Sequence, residues 1–337
     1  MGISILITTL FILLGLIAVL FALMALYPKR ATAIAIDLER YASGLDHKTI
    51  VVGEETWHYL EGGPKDAAVL LMIHGFGADK DNWTRFAGSL TQTYRVIAPD
   101  LPGFGESRWH PSWDYSLFPQ RDRVANFVQA LGLDQVHLIG NSMGGHLAAL
   151  YAYEYPDDVT SLALVDNAGV VSPVDSDFQR ALAYGENPLV VRSVDEFDRL
   201  LEYASHKKPF VPWPVKGVLA QRALDRAEEN QLIFTAVKAD PSADLEPLLP
   251  QIETPVLIIW GEHDRILHVS SIEKMRPLLP QAEVIIMENT GHIPMLERPA
   301  ETAAHYLRFV ERVRSLSAVE RPLIDVTSLL PGTKLGD

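Results

Sequence analysis

Gln135-Val136-His137-Leu138-Ile139-Gly140-Asn141-Ser142-Met143-Gly144-Gly145-His146-Leu147-Ala148-Ala149-Leu150 is the stretch that decides how this chain is read. Residues 135–139 form a short apolar run of strand type, and residues 146–152 begin a helical one. Ser142 therefore falls on a sharp strand-to-helix turn flanked by Gly140, Gly144 and Gly145. Glycines there leave the room that side chains would fill, so the turn lifts the serine hydroxyl above the edge of a sheet. A hydroxyl so presented is inert at neutral pH until a base takes its proton.

The partners follow in the order nucleophile, acid, histidine. Thr254-Pro255-Val256-Leu257-Ile258-Ile259-Trp260 reads as a strand, and Gly261-Glu262-His263-Asp264-Arg265 follows it. Asp264 thus sits just past a strand's C-terminal end, where an acid belongs. Glu283-Val284-Ile285-Ile286-Met287 is the next strand, and its loop Glu288-Asn289-Thr290-Gly291-His292 carries a histidine able to reach both Ser142 and Asp264. In this scheme His292 is the base, and Asp264 orients it and stabilises the imidazolium. The backbone N–H groups of Met143 and of Phe76, in His74-Gly75-Phe76-Gly77, are the expected oxyanion donors. Asp166, after the strand Leu162-Ala163-Leu164-Val165, is an alternative acid, and His74 reads as a brace for its loop. His263 and His268 bracket Asp264, but no thiol or carboxylate cluster accompanies them, so the reading assigns no metal and no cofactor.

Composition narrows the partners. The 337 residues carry a formal charge of −14, which argues against a nucleic-acid partner, and 48% hydrophobic residues suffice for a large sheet-centred core. No cysteine is present, which excludes disulfides, thiol catalysis and cysteine–zinc sites. From Ile3 to Leu26 there is no charged residue, and such a run is long enough to span a bilayer as a helix of about 20 residues. It lacks the basic flank and short apolar core of a cleaved signal, so residues 1–28 are expected to remain as a transmembrane anchor. Ala18 and Ala22 make a small-xxx-small pair that would suit a homodimer through this helix. Lys29 and Arg30 taken alone would hold the following domain in the cytoplasm, against a short N-tail that favours export.

The rest is an alternating β/α series, hence a mostly parallel sheet with helices on both faces. Residues 29–45 suggest a juxtamembrane helix with Ile34, Leu38, Tyr41 and Leu45 at helical spacing. An opening hairpin at 49–52 and 56–60 precedes strands near 68–73, 94–98, 135–139, 160–165, 255–260 and 283–287. Helices are expected near 80–91, 119–131, 144–154, 268–278 and 299–314. The hydrolytic core would occupy 46–170 and 251–315, with a helical cap at 171–250 inserted between strands six and seven. A tail at 316–337 shows no periodic pattern. Within the cap, Lys208-Pro209-Phe210-Val211-Pro212-Trp213-Pro214-Val215 is apolar and proline-stiffened. Phe210 and Trp213 are therefore expected either to wall an acyl chain or to pack within the cap.

Taken together, His74-Gly75-Phe76-Gly77, Pro99-Asp100-Leu101-Pro102-Gly103-Phe104-Gly105-Glu106-Ser107, Gly140–Gly145, Gly261-Glu262-His263-Asp264 and Gly291-His292 resemble the α/β-hydrolase superfamily over roughly 50–315. With the anchor, the chain is most similar to membrane-anchored bacterial lipases, including a phospholipase A, and to the animal monoacylglycerol lipase of the same plan. The resemblance implies hydrolysis of carboxylic esters of lipids, including glycerophospholipids, lysophospholipids or monoacylglycerols. It also implies attachment to the inner membrane with the catalytic domain in the periplasm. Carbon–carbon bond hydrolases use the same Ser-Asp-His set and are the alternative, and a non-catalytic binding protein is a third reading. Dehalogenases and epoxide hydrolases need Asp where this chain has Ser142.

Overall fold

The computed structural model describes residues 2–239 and 243–320. Eight strands form one sheet in the order β1-β2-β4-β3-β5-β6-β7-β8. The first two, β1 (Leu45–Val52) and β2 (Glu55–Gly62), make the opening hairpin, and β2 runs antiparallel to β4 (Arg95–Pro99). From β4 onward the sheet is parallel, through β3 (Val69–Ile73), β5 (Val136–Asn141), β6 (Val159–Val165), β7 (Val256–Gly261) and β8 (Glu283–Met287). Every residue of β5 and β7 is buried, as parallel strands covered on both faces must be.

Side chains alternate between the two faces and build two cores. Leu71, Ile73 and Leu138 point into one, with Phe127 of α4 (Leu117–Ala130), Leu147 of α5 (Met143–Glu154) and Met275 of α10 (Ser271–Leu278). Leu70, Met72 and Ile139 point into the other. There they meet Phe86 of α3 (Thr84–Ala87), Met295 of α11 (Pro294–Glu297) and Tyr306 of α12 (Pro299–Glu320).

Between β6 and β7 stand four helices, α6 (Asp177–Ala183), α7 (Val194–Ala204), α8 (Val215–Asp225) and α9 (Ala227–Ala239). They form the cap, with a small core of its own around Val191, Phe197 and Ala220. Ile233 and Leu245 join the cap to the main core. At the other end of the chain, α1 (Gly2–Leu26) carries an apolar span over Ile5–Leu26 that is 0% buried. It leads into α2 (Pro28–Ala42), whose polar side faces the body. Arg40 grips both oxygens of Asp81 at 2.7 Å, and Glu39 accepts from Arg85. The opposite stripe of α2, Ile34, Leu38 and Tyr41, is exposed.

Four elements depart from the sequence reading, the first being the helix expected over 29–45, which ends at Ala42, so that Leu45 opens β1 and is buried. The helix expected near 80–91 is a 3-10 turn, Lys80–Trp83, followed by only one turn of α-helix. Its backbone is set by the Asp79 side chain accepting from the Asp81 N–H and by Lys80, drawn inward onto Asp100 at 2.7 Å. The hairpin strands are longer than the apolar runs that announced them, because residues outside those runs pair as well. Helix α12 runs to Glu320, into the stretch expected to be an unpatterned tail, and residues 321–337 lie outside the described residues.

Burial pushes two core histidines, His137 and His146, down to about 4. In the unfolded chain they take a proton near the ordinary value of about 6.5, so between the two values the unfolded state binds more protons and stability falls as pH falls. Asp79, raised to about 7 by burial and by Asp81, acts in the opposite direction. The readout is therefore a difference between variants. Relative to His137→Gln, the wild type should lose up to about 1.4 kcal/mol of unfolding free energy per pH unit on going from pH 6 to 5. Urea titrations of both proteins at the two pH values measure this, and a pH-independent difference would contradict the buried neutral state.

Candidate active site

The site is built on the β5–α5 turn. Ser142 has φ +56° and ψ −121°, a conformation that L-residues adopt only under constraint. The constraint is the lack of room around it. A Cβ on Gly140 would stand 2.1 Å from the Gly144 carbonyl oxygen, and one on Gly144 would stand 2.3 Å from that of Ile73. Ser142 occupies the N-cap position of α5 without using its side chain to cap the helix, so the hydroxyl is not committed to the backbone. Its own N–H donates to Val165 at 3.0 Å, tying the turn to β6.

Met143 and the Gly75–Phe76 segment both border Ser142. Met143 opens α5, and a helix's first N–H groups have no partner within the helix. Gly75 lies against the nucleophile, since a Cβ there would be 3.0 Å from that of Ser142, and this brings the Gly75–Phe76 backbone beside it. His74 holds that loop. Fully buried, it accepts the Leu101 N–H on Nε2 at 3.0 Å and pairs through Nδ1 with the Gly75 carbonyl at 2.7 Å.

His292 and Asp264 meet as the chain order predicted. His292 Nδ1 is 2.7 Å from Asp264 Oδ2, and both residues are buried. The other oxygen, Oδ1, accepts the N–H groups of Ile266 at 2.7 Å and Leu267 at 2.9 Å, so the carboxylate is fixed from both sides. A residue that the sequence reading passed over completes the support. Asn141, beside the nucleophile, donates through Nδ2 to the carbonyls of Val165 at 3.1 Å and His292 at 3.0 Å, fastening the histidine loop to the elbow. Its partner stands 151 residues away, a contact that no local pattern announces.

Asp166, the alternative acid, lies within the same cluster as Asp264 and His292 but in a different state. It is fully buried with φ +45°, and its Oδ1 accepts the Gly261 N–H at 2.8 Å. Burial, and then the charge of Asp264, push its carboxyl well above the ordinary range.

Elsewhere, His47, His58 and Glu106 bring three possible metal donors together. Lys80 Nζ already sits on Glu106 Oε2 at 2.6 Å, so a cation occupies the charge that a metal would need. Phe210 and Trp213 do not wall the serine in any described contact. Phe210 is 85% exposed, and the Trp213 ring stacks on Phe21 of α1 with centroids 6.1 Å apart. The apolar segment is thus directed to the anchor, a choice between two apolar faces that hydropathy alone does not make.

The two aspartates can be told apart by amide substitution. Asp264→Asn removes the charge facing the imidazole and should lower turnover of a chromogenic ester by about 10⁴-fold, the scale of such a change in serine triads. Asp166→Asn replaces a carboxyl that burial pushes toward its protonated form and should leave turnover within a few-fold of wild type. A collapse in Asp166→Asn matching that in Asp264→Asn would show that Asp166 carries the charge.

The alpha/beta hydrolase fold family model matches residues 68–299. Lipase 1 of Psychrobacter immobilis is 38% identical over 276 residues, covering 81% of this chain and 87% of that protein. Monoacylglycerol lipase ABHD6 of Homo sapiens is 31% identical over 264 residues, with 75% and 78% covered. Among solved structures, a membrane phospholipase A described as a bacterial virulence factor superposes with TM-score 0.83 at 47% identity, over 91% of this chain and 99% of that one. The matched span runs from the strand before the His74 loop to the start of the last helix, and the chain belongs to the alpha/beta hydrolase fold family.

Proposed function

We propose that this protein is a membrane-anchored serine hydrolase that cleaves carboxylic esters of lipids through an acyl-enzyme on Ser142. The observation that carries the reading is a strained serine at the elbow together with a buried His292–Asp264 pair whose loop is pinned to that elbow. The similarity to Lipase 1, to monoacylglycerol lipase ABHD6 and to a membrane phospholipase A supports an acyl ester of a glycerolipid as substrate.

In this mechanism Ser142 Oγ attacks the ester carbonyl carbon while His292 Nε2 takes the hydroxyl proton. Asp264 holds the Nδ1–H tautomer and stabilises the imidazolium without itself taking the proton. The carbonyl oxygen becomes an oxyanion and receives the N–H groups of Phe76 and Met143, donors in place before charge develops. Collapse expels the alcohol, which leaves with the proton from His292. Water then attacks the acyl-enzyme by the same route in reverse, releasing the fatty acid and regenerating Ser142. No cofactor or metal enters these steps.

Anchoring places the substrate. The apolar α1, the outward stripe Ile34, Leu38 and Tyr41 on α2, and the exposed Phe210 present one apolar set to a bilayer, with Trp213 joining cap to anchor. We place the catalytic domain on the periplasmic side of the inner membrane, on the resemblance to anchored bacterial lipases, and offer the Ala18–Ala22 face of α1 to a second copy. Alkaline phosphatase fused after about residue 45 is active in this orientation, whereas a fluorescent GFP fusion at the same point would reverse it. Crosslinked dimer in membranes should fall in Ala18→Leu/Ala22→Leu.

The full-length protein in micelles should release fatty acid from monoacylglycerols, lysophospholipids or diacyl phospholipids. Ser142→Ala should lower that rate by a factor on the order of 10⁶, with His292→Ala comparable and the double variant no worse, because the groups act as one unit. Turnover of a ring-cleavage dienoate in preference to every ester would move the reading to carbon–carbon bond hydrolysis. Ester turnover that survives in Ser142→Ala would move the nucleophile elsewhere.

A further inference from the structure

The loop that carries His292 is fastened to the cap as well as to the core. Helix α11 begins two residues after His292 and ends at Glu297, whose carboxylate turns back on the chain. Its Oε1 accepts the Gly291 N–H at 2.8 Å. Its Oε2 accepts the N–H groups of His206 at 2.9 Å and Lys207 at 3.1 Å, in the linker that leaves cap helix α7. Alongside, the His292 N–H donates to the carbonyl of Ala204, the last residue of α7, at 2.9 Å.

The fit is close. A Cβ on Gly291 would stand 2.6 Å from the His206 nitrogen and 2.8 Å from the Ser205 Cα, so only glycine lets the two segments approach. On the far side the His206 ring stacks on His263, the neighbour of Asp264, with centroids 4.3 Å apart. The His263 N–H in turn donates to the Thr290 carbonyl at 2.9 Å. Residues 204–207 are therefore wedged against the two loops that hold the base and its acid. Six residues further on, the same linker reaches Trp213 and its stack on Phe21 of the anchor.

We propose that Glu297 is a positioning residue that latches the cap linker to the His292 loop, so that alignment of the base depends on the seating of the cap. The role of His292 in this statement rests on the ester-hydrolase reading, whereas the latch itself does not. A carboxylate suits the task because it is acceptor only, and three N–H donors converge on its two oxygens. An amide cannot replace it. Whichever way Gln is turned, its NH₂ faces an N–H on one side, and either the Gly291 arm or the cap arm is left unpaired. Burial raises the Glu297 carboxyl while the three donors oppose that rise, so the group is costly to place without its partners. Movement of the cap at its anchor end thereby reaches the base through backbone hydrogen bonds.

The test uses the full-length protein in detergent micelles and two readouts. In Glu297→Gln, kcat on p-nitrophenyl butyrate should fall roughly 10–100-fold with KM little changed, the cost of a misplaced catalytic group. Glu297→Asp, which keeps both acceptor oxygens, should recover part of it. By hydrogen exchange, the amides of His206, Lys207, Gly291 and His292 should open in the wild type as one cooperative unit and lose protection together in Glu297→Gln. That wild-type measurement stands even where a variant does not fold. Four amides exchanging at unrelated rates would overturn the latch, as would Glu297→Gln with wild-type kcat and protection. A wild type inert on every ester would sink the hydrolase reading and leave hydrogen exchange to decide the latch.

Discussion

A strand that turns directly into a helix above a parallel sheet leaves its backbone almost no space, and that shortage organises this molecule. At Gly140 and Gly144 a single added carbon would overlap a carbonyl oxygen, so α5 can settle against β5 and against the end of β3 only because these positions lack a side chain. The closeness forces Ser142 into positive φ and turns its hydroxyl away from capping the helix. Strain of this kind persists only where the surroundings over-determine it. Here they do, through the Ser142 N–H on Val165, the Asn141 side chain on two carbonyls, and the buried strand β5 that carries the turn.

Behind the serine, electrostatics divides labour between two aspartates at the ends of adjacent strands. Asp264 is met by two backbone N–H groups and the imidazole. Asp166 has one donor and is fully buried, and burial together with the neighbouring Asp264 pushes its carboxyl up. The His292 loop is then pinned from three directions. Asn141 holds its carbonyl, Ala204 receives its N–H, and Glu297 holds the preceding Gly291. An imidazole that must meet a substrate within a fraction of an ångström is thus fixed through its backbone as well as through its acid.

Much of this was legible before any coordinates. Short continuous apolar runs announced the strands, and the glycines around Ser142 announced the turn. Asp264 and His292 were legible because each lies just past a strand end. The supporting residues were not, since their partners are remote in sequence: Asn141 reaches His292, and Glu297 reaches His206. Glu297 left one local trace, its place at the end of a proline-initiated turn five residues past the histidine. Asp166 was visible as a carboxyl in the right place, but the upward push on it follows from burial beside Asp264, which appears only when β6 and β7 are paired. Hydropathy marked Phe210 and Trp213 as apolar and could not say that Trp213 would face the anchor.

The central claim is that Ser142 becomes covalently acylated with His292 as the base. Rapid acid quench of the full-length protein with a slowly deacylating p-nitrophenyl ester, followed by peptide mass spectrometry, tests it most directly. The account predicts a burst of one p-nitrophenol per active site and an acyl mass on the peptide containing Ser142, both lost in His292→Ala. An acyl group on another residue, or burst-free turnover with unmodified Ser142, would contradict it.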